Sequence, residues 1–179
     1  MHDDDWFSFA ELADRLGSLV WVEQQLSALL MSWSRVEAEP SAAIAFFTAA
    51  RHHNWHSEVM AGCLPTSPQL RETELVTAPT PGWEDAMALL SDQQQPTATT
   101  MRLRALTKVI HPWLERETSA LVSLARPISD AAIMRWLRFI ELDHSDDGDS
   151  LALLCASVES TTIQLEDRVL LTQLDLARL

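Results

Sequence analysis

A chain of 179 residues is long enough for one domain with a full core and too short for two ordinary ones. Its composition, 47% hydrophobic and 22% charged, is that of a soluble globular protein. The net charge of −13, with only 13 basic residues (12 Arg and Lys108), repels phosphates and anionic membranes and argues against nucleic-acid and membrane partners.

The first residues, Met1-His2-Asp3-Asp4-Asp5-Trp6-Phe7, have neither the positive nor the apolar region of a signal peptide. No apolar run approaches the ~20 residues of a membrane span. Cys63 and Cys155 are too few for a disulfide framework and too far apart for a CxxC motif. They read as reduced core thiols, and the expected compartment is the cytoplasm.

Ser8-Phe9-Ala10-Glu11 is a capping box that opens a helix over about 8–36. Leu12, Leu16, Leu19, Glu23, Leu26, Leu30 and Trp33 form its inward seam. Pro40 starts a second helix, over about 40–61, with the seam Ala42, Phe46, Ala49, His53, His56, Met60 and Cys63. Gly62, Pro65 and Pro68 stop it. From about Leu64 to Thr99 proline, Ser, Thr and a Gln93-Gln94-Gln95 run predict a long connection with one short helix, about 82–90. A third helix follows over about 100–125, kinked at Pro112, with the seam Leu103, Leu106, Ile110, Trp113, Glu117, Leu121 and Leu124. A fourth, over about 130–156, turns Ile133, Leu137, Ile140, Glu141, His144, Gly148, Leu151 and Cys155 inward. A fifth, over about 161–178, is expected to pack across the bundle. The prediction is one all-α domain, residues 1–179: an antiparallel four-helix bundle of two hairpins joined by a long crossover, plus a C-terminal helix.

Each of the four core helices carries Glu or His on its apolar stripe. Ionisable groups are costly to bury unless they pair or bind metal, so Glu23, His53, His56, Glu117, Glu141 and His144 are expected to share one site inside the bundle. This set resembles the ferritin-like superfamily, whose di-iron members use one Glu from each of two helices and Glu-x-x-His from each of the other two. Glu23 and Glu117 match the lone carboxylates, and Glu141-Leu142-Asp143-His144 matches an intact Glu-x-x-His. The second helix departs, with His53-Asn54-Trp55-His56 in place of Glu-x-x-His. The chain is also similar to small actinobacterial ferritin-like proteins, in Leu16-Gly-Ser-Leu-Val-Trp-Val-Glu23 and Arg51-His-His-Asn-Trp-His-Ser-Glu58.

The resemblance implies one or two Fe ions held by these six residues, with Mn or Zn as alternatives and a metal-free version also open. Histidine cannot bridge two metals as a carboxylate does, so the second helix leaves one bridge missing. The function expected is a metal-dependent oxidase or oxygenase acting on a small organic molecule. The alternative is a metal-free scaffold or binding module in which Glu and His form a structural network. Glu23 has a structural reading too, as a partner of Arg51 or Arg135. His52, Glu58 and His111 are expected at the surface, and Asp143, Asp146, Asp147 and Asp149 on a solvated face. Most of the seven Trp residues, including Trp21, Trp33, Trp55, Trp113 and Trp136, are expected in the core or between the copies of a homodimer. Phosphate-binding Gly-rich loops, Gly-x-Ser-x-Gly and Cys/His zinc clusters are missing.

Overall fold

The computed structural model describes residues 6–65, 71–126 and 128–158, and among these every regular element is helical. The elements are α1 (Phe9–Val36), α2 (Pro40–Ala61), α3 (Glu72–Leu75), α4 (Pro81–Ser91), α5 (Thr99–Ala105), a π-helical turn (Leu106–Ile110), α6 (His111–Leu124) and α7 (Ala131–Val158). The expected fifth helix at 161–178 lies outside the described residues.

The capping box forms. Ser8 N–H donates to the Glu11 carboxylate at 2.8 Å, and Glu11 N–H donates to Ser8 Oγ at 3.2 Å. The short turn after Val36 folds α2 back along α1, and α6 and α7 pair across the turn before Ala131. The hairpins meet where α2 packs on α7 and α1 on α6. Trp33, fully buried, stands 5.7 Å from Phe46 between centroids, and its indole N–H donates to Leu90 O at 3.3 Å. That bond ties α4, within the crossover, to α1. Two more contacts fix the crossover. Gly17 lets α3 approach α1 so closely that a Cβ there would lie 2.2 Å from Leu75 O. Arg102, fully buried, donates to Glu37 at 2.8 Å and to the carbonyls of Gln93 and Gln95 at 2.6 and 3.0 Å.

The third predicted helix differs from expectation in one respect that matters for the site. It is not one kinked α-helix: a π-helical turn precedes Pro112. Proline lacks an N–H and clashes with the carbonyl four residues back, and the wider turn accommodates it. No helix among the described residues is long and apolar enough to cross a membrane. Cys63 and Cys155 form no disulfide. Trp33 and Trp113 are buried, whereas Trp55 and Trp136 are 38% and 36% exposed and lie outside the core.

Candidate metal centre

The centre begins with Glu23, placed on the buried stripe of α1 between Leu19 and Leu26 and itself fully buried. Opposite it, α2 presents His53 and His56, one turn apart and both fully buried. From α7, His144 enters the same space, also fully buried.

His53 Nδ1 is 2.6 Å from Glu23 Oε2, His56 Nδ1 is 3.3 Å from the same oxygen, and His144 Nε2 is 2.8 Å from Oε1. One ligand atom from each of the four residues lies within 4.8 Å of the other three, so the group can hold a metal ion.

The nitrogens that face away from Glu23 are as informative as those that face it. His56 Nε2 donates to Asp143 Oδ2 at 3.1 Å. His144 Nδ1 stands 3.4 Å from the hydroxyl of Thr118, a buried residue of α6. Imidazoles that ligate metals keep their other nitrogen on a carboxylate, hydroxyl or carbonyl, which orients the ring and fixes its tautomer. Thr118 can donate or accept, so it suits either tautomer of His144. Glu23 and Asp143 together would supply negative charge to offset a divalent ion.

The electrostatics are those of a charged cluster in a dry place. Burial by itself would raise the Glu23 carboxyl. The electrostatic influence of the adjacent His53 and His144 rings and their hydrogen bonds outweigh it and hold the group well below its ordinary range. Burial likewise opposes a charge on His56, but the carboxylates of Glu23 and Asp143 on its two nitrogens raise it above the ordinary value. A metal ion held by His56 would compete with that proton.

Two of the six expected ligands are not in this group. Glu117 is 24% exposed at its side chain and pairs with Arg15 at 3.1 Å. The buried residues of α6 are His111, Trp113, Leu114, Thr118 and Leu121. Thr118 thus stands where periodicity put Glu117. Glu141 is half-buried and outside the group, because on α7 the inward position next to it belongs to Ile140.

Other expectations also change. Arg51 and Arg135 are exposed, so neither is a buried partner of Glu23. Asp143 belongs to the centre through His56, and His52 bonds Asp147 at 2.8 Å, while Asp146 and Asp149 stay in solvent. His111 is buried at 2% exposure, with its ring 6.1 Å from that of His53 and 6.5 Å from that of His144. Burial, reinforced by the electrostatic influence of the neighbouring His53 and His144 rings, pushes it down to about 3, so it is neutral.

No known protein family, curated protein or solved structure matches the chain.

Proposed function

We propose that this protein is a metalloprotein that binds a single divalent transition-metal ion through Glu23, His53, His56 and His144. The observation that carries the reading is the convergence of four fully buried ligand atoms within 4.8 Å of one another. One ion is favoured over two because Glu23 is the one carboxylate in the group, and dinuclear centres of the ferritin-like kind rely on bridging carboxylates. An imidazole-rich set suits Fe, Zn or Cu better than Mg or Ca. The paired hairpins and long crossover support a ferritin-like arrangement of the bundle.

Within this reading we favour a non-haem iron oxidoreductase acting on a small organic molecule. Bound iron would supply one-electron chemistry toward O2. The chain's own contribution is a buried, apolar surround that excludes bulk water, and ring orientations fixed by Asp143 and Thr118. The second reading, a metal-free scaffold, draws on a specific observation: the oxygens of Glu23 already accept from all three imidazoles.

Elemental analysis of the full chain, purified without a His-tag and loaded with Fe(II), Mn(II) or Zn(II), tests the two. About one ion per chain is expected. A chain that stays metal-free after each loading decides for the scaffold. O2 consumption by the iron-loaded chain, with a panel of small organic substrates, then tests the redox reading.

A further inference from the structure

His56 and His144 each have an outer partner, Asp143 and Thr118. His53 has none of that kind: its Nε2 is buried and makes no protein hydrogen bond. Both ring nitrogens of His111 are likewise buried without a hydrogen bond of good geometry, the His144 carbonyl being the backbone acceptor that acts on the ring, and the two rings are neighbours, 6.1 Å apart between centroids. An unpaired buried polar nitrogen is costly, and such nitrogens on two neighbouring rings point to a shared bonding partner.

The spacing identifies the link. A direct N–H···N bond of ~2.9 Å would bring two imidazole centroids to roughly 5 Å. The observed 6.1 Å is too long for that and suits one bridging water. Gly148 of α7 shapes this corner. A Cβ there would lie 3.4 Å from His111 Nδ1 and 3.5 Å from Glu115 Oε1, so His111 Nδ1 is the nitrogen beside α7 and Nε2 is turned away from it.

We propose that His111 is a positioning residue for the metal: through one buried water it pairs with His53 Nε2, leaving His53 Nδ1 to ligate. Without metal, Nδ1–H of His53 donates to Glu23, and its bare Nε2 accepts from the water. With metal on Nδ1, the proton resides on Nε2 and is donated to the water, which in turn donates to the lone pair of His111. A water turns over between these two roles as the Thr118 hydroxyl does for His144. The three ligand histidines would then each have an outer partner of a different kind: a carboxylate, a hydroxyl, and a neutral imidazole acting through water.

This inference rests on the metal reading, and the test separates the two. The full chain and its His111→Leu and His111→Gln variants are titrated with Zn(II) against a competing chelator, and melting temperatures are recorded without metal. His111→Leu is expected to weaken Zn(II) binding by about 10–100-fold, the usual loss on removing an outer partner. His111→Gln, which keeps a hydrogen-bonding head, should recover most of it. Co(II) spectra should change in His111→Leu and return toward wild type in His111→Gln. Wild-type protein that takes up no Zn(II) or Co(II) overturns the metal reading and this inference together. Zn(II) affinity within about twofold of wild type in His111→Leu overturns this inference alone, as does a loss that follows melting temperature rather than a hydrogen-bonding group. If His111→Leu does not fold, His111→Phe against His111→Gln gives the same comparison.

Discussion

Acidifying the metal-free protein from about pH 7.5 to about pH 5 protonates His111 in the unfolded chain but not in the folded one. The folded ring is held down to about 3 chiefly by burial, with the electrostatic influence of His53 and His144 adding to it; an unfolded histidine titrates near 6.5. The folded value is the depressed one, so the unfolded state binds the extra proton and stability falls as pH falls below 6.5. Above 6.5 the ring is neutral in both states and contributes nothing. At about pH 5 the cost is set by how far the pH lies below the unfolded value, which gives about 2 kcal/mol. The size is insensitive to the folded value as long as that lies below about 4. His111→Phe removes the titration and keeps a buried ring. Urea unfolding of both chains, followed by fluorescence of the seven Trp residues, should show wild type losing about 2 kcal/mol more than the variant over this interval. Equal losses would mean that His111 is protonated in the folded state or open to solvent, and the arrangement around it would be wrong.

Glu23→Gln should abolish stoichiometric metal, since it removes the one carboxylate of the group, whereas Glu117→Gln should leave metal content unchanged and cost under about 1 kcal/mol at its exposed ion pair with Arg15, both read by elemental analysis and urea unfolding. His56 has its proton affinity raised by Glu23 and Asp143, so its contribution to metal-free stability is present below 6.5 and is lost as pH rises through its higher folded value. The same titration makes Zn(II) binding tighten over that range, and isothermal titration in buffers of different ionisation enthalpy should detect the released proton. Arg102→Met should cost about 3–5 kcal/mol in urea unfolding, because it leaves the buried Glu37 carboxylate without its cation, with only the Thr99 hydroxyl still donating to it, and two carbonyls without their donor.

The helices carrying the centre are legible in the sequence because their signals are local. A capping box, Pro40, Gly62 and an unbroken apolar stripe locate α1 and α2, and the same stripe brings Glu23, His53 and His56 inward. His144 follows from the stripe of α7. Glu117 is misplaced by one residue because, between Trp113 and Leu121, which are buried as expected, positions 117 and 118 both fit the period and packing turns Thr118 inward. The π turn before Pro112 interrupts the constant period at His111, which is also buried. The proline is a visible sign of irregularity, but it does not tell a kink from a wider turn. Glu141 is a different failure. Its three-residue spacing from His144 puts both on neighbouring rows of α7, and packing seats Ile140 inward instead. Asp143 gives no signal of its own, since its role depends on where α2 places His56. The buried Arg102–Glu37 pair joins residues far apart in sequence, and nothing local marks either one.

The π turn also governs how this chain tolerates changes in length. It is the imprint of one surplus residue lodged in a helix whose neighbours on both sides keep their facing. Removing a single residue there, Lys108 being the exposed one, would let Leu106–Ile110 close into an ordinary α turn while His111 and Thr118 keep their orientation. Adding a residue instead would turn α6 by roughly 100° and carry both away from His144. Insertions and deletions at this point are therefore unequal, one mild and one disruptive. A distant homologue that aligns here only across a one-residue gap would still carry the same centre, and an ungapped alignment through it would match Glu117 to the wrong partner.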